Sequence, residues 1–285
     1  MGYYKAMSTP FHHHELSCFG IGTTGFWTGV NPGLADCITE AVRSYGVNVL
    51  DTAEMYGSGR SEEALGKVIR SLNRDELFLV DKILPEHAVE GQFETSLNTS
   101  LSRLGVDVID LYLLHWREKA DLSFVADAME KAVQAGKIRY WGVSNFDVED
   151  LQDLSAVKYG ERCFCNQIFY NVYERGVEWE LLPKMQTQGI LPMSYSSLGS
   201  DYHPHPDIHA NQAVMRFCEE AGFAPEALML RLNVEMGFCT LFATSSLDHL
   251  RANLREIPDE VYQQFKIIID QEFPGPDHRY PLVKI

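Results

Sequence analysis

Short apolar runs alternate along the chain with longer segments in which apolar residues recur every three or four positions. Runs rich in β-branched and aromatic residues predict strands, and a spacing of three to four predicts amphipathic helices. Eight runs predict strands: Leu16–Thr23, Val47–Thr52, Leu77–Ile83, Val108–His115, Ile138–Asn145, Phe164–Tyr170, Ile190–Ser197 and Gly237–Ser245. Helices are predicted between them, for example over LADCITEAVRSYG, SEEALGKVIRS, FETSLNTSLSRLG, FVADAMEKAVQAGK and APEALMLRLNVEM.

The regular alternation of strand and helix predicts a parallel sheet, because each helix returns the chain to the start of the next strand. Eight such units without a Pro/Gly/Ser-rich linker favour an α/β fold, the closed (β/α)₈ TIM barrel, as a single domain over residues 1–285. An open, doubly wound sheet is the structural alternative. The segment Phe11–Leu16 is a candidate lid across the bottom of the barrel.

Composition narrows the class of partners. The chain has 285 residues, of which 24 are basic and 40 acidic, so its net charge of −16 disfavours nucleic-acid binding. No uncharged apolar stretch is long enough to span a membrane, and the first residues lack the apolar core of a secretory signal. We therefore expect a cytoplasmic protein that binds no membrane, with its scattered cysteines reduced.

Polar residues follow the apolar runs at the carboxyl ends of the predicted strands, where barrel enzymes place their active sites. These residues are Asp51 with Tyr56, Lys82, His115, Ser144-Asn145, Asn166-Gln167, Tyr195-Ser196-Ser197 and Thr244-Ser245-Ser246. Each one alone has an ordinary structural explanation, such as a helix cap, a solvated lysine or a structural histidine. Their convergence at one end of the barrel predicts a functional site.

Four of these side chains suit proton transfer to a carbonyl group. The phenol of Tyr56 has a reference pKa of about 10, so it needs a neighbouring cation such as Lys82 to become a faster acid. Asp51 would keep Lys82 charged and oriented, and His115 would donate a hydrogen bond to the carbonyl oxygen. Because none of these groups supplies a hydride, a cofactor must bring it.

At this point the chain resembles the aldo-keto reductase family over nearly its whole length. GVNVLDTAEMYGSGRSEEALG is similar to the family motif around the catalytic Asp and Tyr, LFLVDKI to its lysine strand, and VIDLYLLHW to its histidine strand. GKIRYWGVSNF, NQIFYN, MSYSSLG and FGIGT resemble further family segments. The resemblance implies an NAD(P)-dependent oxidoreductase that interconverts a carbonyl and an alcohol on an aldehyde, ketone or sugar, without a metal.

The resemblance also implies the roles of individual residues. The catalytic group would be Asp51, Tyr56, Lys82 and His115, with Tyr56 as general acid in reduction and general base in oxidation. The cofactor would contact Gly22, Thr23, Asp51, Ser144, Asn145, Gln167, Tyr195, Ser196, Ser197, Leu198, Ser200, Thr244, Ser245, His249 and Asn253. Among these, Ser144, Asn145 and Gln167 would bind the nicotinamide carboxamide, and Tyr195 would stack on the nicotinamide ring.

One departure from the family pattern concerns the choice of cofactor. The family has a Lys after its eighth strand and an Arg four residues before an Asn that contacts adenine, and both cations help to neutralise the 2′-phosphate of NADP. At the corresponding positions this chain has Leu241-Phe242-Ala243-Thr244, and it has His249 four residues before Asn253. The sequence therefore leaves NADP and NAD open as the cofactor.

Two other functions compete with this interpretation. The first is a nicotinamide-binding sensor or regulatory subunit with little turnover, as found for some members of the family. The second is a metal-assisted lyase or hydrolase that uses the histidines of His203–His209 or His12–His14. We expect no metal site, because neither stretch has a companion carboxylate at ligand spacing. The particular substrate is not predicted, and the oligomeric state is left as a monomer or small homo-oligomer.

Overall fold

The structure of the protein is a computed structural model, and it describes residues 16–284. It has eight parallel strands that close into a barrel, since each strand pairs with the next and the last pairs with the first. The strands are β1 Phe19–Gly22, β2 Val49–Asp51, β3 Phe78–Ile83, β4 Ile109–Leu114, β5 Ile138–Ser144, β6 Cys165–Phe169, β7 Leu191–Tyr195 and β8 Cys239–Phe242. The predicted (β/α)₈ barrel is thus confirmed, and the closed β1–β8 pairing excludes the open sheet.

Helices surround this barrel, at or near the predicted positions. They are α1 Pro32–Tyr45, α2 Arg60–Ile69, α3 Phe93–Leu104, α4 Leu122–Gln134, α5 Val148–Ser155, α6 Leu181–Gln188, α7 Gln212–Ala221, α8 Pro225–Glu235, α9 Leu247–Asn253 and α10 Asp259–Glu272. Helices α7, α8 and α10 pack on one another around a separate apolar cluster that includes Leu228 and Phe265. In the described residues, no helix combines the length and apolar character that crossing a bilayer requires.

Successive side chains of each strand point to opposite faces, one toward the barrel interior and one toward the helices. The interior holds a small apolar cluster that includes Val80, Leu113 and Met193, and the helix-facing side belongs to the main core. Leu16 lies in the interior cluster as well. It is the only residue of the proposed lid Phe11–Leu16 that the structure describes, so the lid itself lies outside the described residues.

The same alternation carries polar side chains to the top of the interior. Two residues after Val80 comes Lys82, and two residues after Leu113 comes His115. An apolar side chain thus fills the middle of the barrel, and the next inward position on the same strand is polar. The six cysteines are all free and buried, in agreement with the expectation of reduced thiols: Cys18, Cys37, Cys163, Cys165, Cys218 and Cys239.

Candidate active site

Lys82 lies at the centre of the polar group at the top of the barrel. Its ammonium is 1% exposed and donates to both carboxylate oxygens of Asp51 and to the carbonyl oxygen of Thr52, each at 2.8 Å. A longer contact of 3.4 Å joins the same nitrogen to the hydroxyl of Tyr56. Because an ammonium has three donors, these bonds fix its position in the interior.

Tyr56 belongs to the loop between β2 and α2, which turns tightly after the tyrosine. Gly57 follows with φ of 61°, and a Cβ at that position would lie 2.2 Å from the carbonyl oxygen of Trp27. Only glycine meets both conditions without strain. The Tyr56 ring lies edge-on to His115, with 6.0 Å between the ring centroids. The Tyr56 side chain therefore lies close to both the Lys82 ammonium and the His115 ring.

The pKa of Tyr56 does not follow the expected direction. Burial raises the pKa of the phenol above its ordinary value, Lys82 lowers it, and Asp51 raises it again. The lysine loses much of its effect because Asp51 holds a compensating charge 2.8 Å from the same ammonium. Lys82 thus acts on Tyr56 in the expected direction, but burial outweighs it, and Tyr56 is a protonated phenol at neutral pH.

The ammonium of Lys82 is charged, whereas the imidazole of His115 is neutral. Burial lowers the pKa of Lys82, but Asp51 and Tyr56 together outweigh burial and raise it, so the ammonium stays charged. Burial, with the nearby charge of Lys82, lowers the pKa of His115 to about 3. Among residues 16–284, no group hydrogen-bonds to the buried Nδ1 of His115. A neutral imidazole beside a phenol can donate one hydrogen bond to a carbonyl oxygen.

The four residues that the resemblance assigns to nicotinamide are close together and already bonded to one another. Asn145, whose φ is 61°, accepts from the hydroxyl of Tyr195 at 2.7 Å and donates to Ser144 and to the carbonyl oxygen of His115. Gln167 donates to Asp51 Oδ1 at 2.8 Å. The side-chain amides are therefore positioned at the mouth, and the Gln167 amide is linked directly to the carboxylate of Asp51.

A cavity of about 270 Å³ opens at this end of the barrel. Its lining includes the predicted residues Gly22, Asp51, Tyr56, Tyr195, Ser196, Ser197 and Leu198. It also includes residues that the sequence argument did not select: Thr24, Gly199, Leu241, Phe242 and Ala243. Leu241 and Phe242 were passed over because they are ordinary strand residues. A larger cavity of about 520 Å³ between α3 and α4 contains none of the polar group, so size does not locate the site.

Other predicted cofactor residues do not line this cavity. The Thr23 side chain is buried, and its hydroxyl donates to the carbonyl oxygen of Asp51, which gives it a structural role. Thr244, Ser245 and His249 lie beyond β8, where the hydroxyl of Ser246 caps α9. Five further predicted cofactor residues are also outside the lining: Ser144, Asn145, Gln167, Ser200 and Asn253.

The histidines considered as metal ligands have other partners. His205 stacks on Tyr173 with 4.3 Å between ring centroids, and His209 Nε2 lies 2.9 Å from Glu226. In the described part of the chain, no group of three or more His, Cys, Asp or Glu residues is arranged to hold a metal ion. His12–His14 lie outside the described residues.

Sequence and structure comparisons agree with this geometry. Residues 18–270 match the model of the aldo/keto reductase family. The methylglyoxal reductase YeaE of Escherichia coli is 32% identical over 266 residues, which cover 92% of this chain and 93% of that protein.

Two solved structures from Klebsiella pneumoniae are similar over almost the whole fold. An aldo/keto reductase in complex with NADP and acetate has a TM-score of 0.86 and 31% identity, and covers 95% of this chain and 96% of its own. An aldo-keto reductase in complex with NADPH has a TM-score of 0.87 and 29% identity, and both chains are covered completely. The chain therefore belongs to the aldo/keto reductase family of oxidoreductases.

Proposed function

We propose that this protein reduces a small, reactive aldehyde or α-dicarbonyl compound to an alcohol with NADPH, with Tyr56 as the proton donor. The observation that carries the proposal is the position of the Tyr56 hydroxyl, 3.4 Å from the Lys82 ammonium and beside the His115 ring. The substrate class is suggested by the similarity to methylglyoxal reductases of Escherichia coli and Yersinia pestis.

The residues at the barrel mouth fit a nicotinamide dinucleotide. Gly22 lines the cavity, and a Cβ there would meet nothing closer than the carbonyl oxygen of Phe242 at 3.9 Å, so its missing side chain leaves room for a ligand. Tyr195 and Ser196 line the cavity on the β7 side. In the proposed complex, Ser144, Asn145 and Gln167 would hold the carboxamide, and the bound cofactor would supply a hydride to the substrate carbonyl carbon.

The protein's own groups would complete the reduction at the carbonyl oxygen. His115, neutral because its pKa is about 3, donates a hydrogen bond to that oxygen and polarises the bond. As the carbonyl becomes an alkoxide, the Tyr56 hydroxyl gives it a proton, which produces the alcohol and leaves a phenolate. An alkoxide is far more basic than a phenolate, so a raised Tyr56 pKa does not prevent this transfer. Lys82 stabilises the phenolate until it takes a proton from water.

The region beyond β8 favours weak discrimination between the two nicotinamide dinucleotides. His249 occupies the position at which the family has an arginine, and the nearby Arg251 is shared between Glu40 at 3.6 Å and Asp248 at 3.8 Å. We propose NADP as the preferred cofactor, because the similar structures hold it. Thr244, Ser245 and His249 would contact its 2′-phosphate, and NAD would bind with an affinity within about tenfold.

The experiment is a turnover assay that follows NADPH oxidation with methylglyoxal, a series of small aldehydes and ketones, and several sugars. We expect the highest kcat/KM for methylglyoxal or another small aldehyde. Repeating the assay with NADH tests cofactor preference, and the Tyr56→Phe variant gives the background rate. Tight NADPH binding without turnover of any carbonyl compound would overturn the proposal and favour the regulatory subunit.

A further inference from the structure

Two acidic side chains contact one another on the outer side of β3, behind the proposed active site. Asp81 immediately precedes Lys82, and strand alternation directs it away from the interior, toward the helices. Glu62 lies in the first turn of α2. Both residues are 0% exposed, and their carboxyl groups are within hydrogen-bonding contact of each other. The proposed reaction uses neither of them.

Each carboxyl group has one oxygen with a donor and one without. Asp81 Oδ1 accepts from the backbone N–H of Lys82 at 2.9 Å, and Glu62 Oε2 accepts from Arg103 at 2.8 Å. The other two oxygens, Asp81 Oδ2 and Glu62 Oε1, are buried and have no well-formed hydrogen bond from residues 16–284, although the hydroxyl of Ser100 lies close enough to Glu62 to interact with its carboxyl group. Ionised carboxylates can only accept hydrogen bonds, so two of them in contact leave both oxygens unsatisfied. A proton between the groups removes this deficit.

The charges around Glu62 and Asp81 also indicate that the pair holds one proton rather than none. Arg103, from α3, is the cation paired with Glu62, whereas the charge of Lys82 is already paired with Asp51. The hydroxyl groups of Ser100 and Tyr112 complete the surroundings and are uncharged at neutral pH. With one shared proton the pair has a charge of −1, which Arg103 balances. Burial and the charge of Glu62 raise the pKa of Asp81 well above its ordinary value, and burial raises that of Glu62.

We propose that Glu62 and Asp81 share a single proton at neutral pH and that this acid–carboxylate pair fixes β3 against α2. The neighbouring Ser61 donates to the carbonyl oxygen of Thr23 and accepts from the hydroxyl of Thr52, so the same helix end is also tied to β1 and β2. The pair is thus a positioning element for Lys82 and for the Tyr56 loop. This positioning role rests on the proposed function, whereas the shared proton does not.

The first test measures the proton itself. Asp81→Asn replaces the acid by an amide whose NH₂ group can donate to Glu62 Oε1, so the variant keeps the contact without the extra proton. In the infrared spectrum at pH 7, the wild type should show the carbonyl stretch of a protonated carboxylic acid, and Asp81→Asn should lack it. The control is Asp75→Asn, which changes an exposed aspartate that precedes β3 in the chain. This variant should retain the band. Absence of the band in the wild type overturns the proposal.

The second test uses stability against pH. A carboxyl group whose pKa is raised in the folded state binds a proton that the unfolded chain releases, so stability falls as pH rises above the unfolded value of about 4. Through this pair, each rise of one pH unit between pH 5 and 7 should increase the unfolding equilibrium constant about tenfold. Because His115 contributes a slope of opposite sign below about pH 6.5 in every variant, the slope of the pair is obtained by difference. Relative to Asp81→Asn, the unfolding equilibrium constants of the wild type and of Asp75→Asn, measured by urea unfolding, should rise about tenfold per pH unit. Equal slopes in all three proteins contradict the shared proton.

The third test separates positioning from catalysis. Asp81→Leu leaves Glu62 without its donor, so we expect kcat to fall by about tenfold or more with little change in KM, whereas Asp81→Asn restores kcat. If Asp81→Leu does not fold, the wild type and Asp81→Asn are compared at alkaline pH instead. There the wild-type pair loses its proton and kcat falls, whereas Asp81→Asn retains its rate. Equal alkaline profiles overturn the positioning role, while inactivity of all variants and the wild type would instead count against the proposed function.

Discussion

The ammonium of Lys82 lies 2.8 Å from both oxygens of Asp51 but 3.4 Å from the hydroxyl of Tyr56. The lysine is therefore paired first with the carboxylate and only secondarily with the phenol. Burial is the main reason that the pKa of Tyr56 is raised in spite of a neighbouring cation, and the negative charge of Asp51 adds to it. In the proposed mechanism, the lysine would act mainly after proton transfer, when the phenolate becomes the stronger partner.

Replacing Tyr56 by Phe removes the proposed proton donor and leaves the ring in place. Loss of a general acid typically costs about 10²–10⁴-fold, so we expect kcat to fall by that amount with an unchanged Kd for NADPH. Stopped-flow turnover and fluorescence titration measure the two quantities. The control is Tyr202→Phe, at an exposed site, which should behave as the wild type. Phe169→Tyr is not a suitable control, because that ring is buried. Wild-type turnover by Tyr56→Phe would remove the tyrosine from the mechanism.

Replacing Asp51 by Asn leaves a buried ammonium without its counter-charge. Breaking one side of a buried ion pair costs about 3–5 kcal/mol of unfolding free energy, which urea denaturation would measure. The matched control is Asp127→Asn, since Asp127 pairs with Lys131 on an exposed helix surface. This variant should be close to the wild type in stability. Equal losses in the two variants would show that the Asp51–Lys82 pair is not strongly desolvated.

The neutral state of His115 has a consequence for acid stability. Its pKa of about 3 in the folded protein lies below the value of about 6.5 in an unfolded chain. Between these values the unfolded chain binds a proton that the folded protein does not, so stability falls as pH decreases below about 6.5. His115→Gln should remove this contribution, seen as a shallower loss of stability between pH 6 and 4. An unchanged slope would mean that His115 takes up a proton in the folded state.

Replacing Gly57 by Ala tests the turn that carries Tyr56. The new Cβ would meet the Trp27 carbonyl oxygen at 2.2 Å in a left-handed conformation, so we expect destabilisation by more than about 1 kcal/mol together with a lower kcat. Gly91→Ala is the matched control, because its φ is 80° but no atom lies within 4 Å of the added Cβ. The control should lose stability through strain alone and keep its activity. Full activity of Gly57→Ala would show that the loop adjusts freely.

Replacing His249 by Arg tests whether this position contacts the 2′-phosphate of NADPH. A guanidinium forms paired, charge-assisted hydrogen bonds with phosphate, so we expect affinity for NADPH to rise about tenfold while that for NADH is unchanged. His209→Arg adds the same charge at the exposed site beside Glu226 and should alter neither constant. Isothermal titration with both cofactors provides the measurement. If NADPH affinity does not change, the phosphate does not lie near α9.

The sequence predicted the barrel well because each strand has a dense apolar run followed by a recognisable helix. All eight strands are confirmed, and each is shorter than predicted; β2, for example, is only Val49–Asp51. Ends of strands are hard to place, since apolar residues such as Val47 continue into the core outside the paired region. The organisation as one domain and the roles of the site residues stay predictions.

The details of the site depend on distances that a sequence does not contain. The motif places Lys82 near Tyr56, but only the structure shows that Asp51 lies closer to the ammonium and that burial raises the pKa of the phenol. Likewise, Gln167 matches a cofactor-binding motif, whereas its amide is bonded to Asp51. Glu62 and Asp81 were not selected because acidic residues in a helix and a strand give no signal that they will be buried together.

The hydrogen bond between Tyr195 and Asn145 joins the end of β7 to the residue that follows β5 at the mouth of the barrel. When a nicotinamide carboxamide binds here, Asn145 would exchange its bond with Tyr195 for one with the cofactor. The net gain in binding free energy from each such bond would be small. The affinity of the carboxamide would then come chiefly from shape and from the removal of water. Variants that disturb this internal bond would tend to change how quickly the dinucleotide leaves more than how fast it enters.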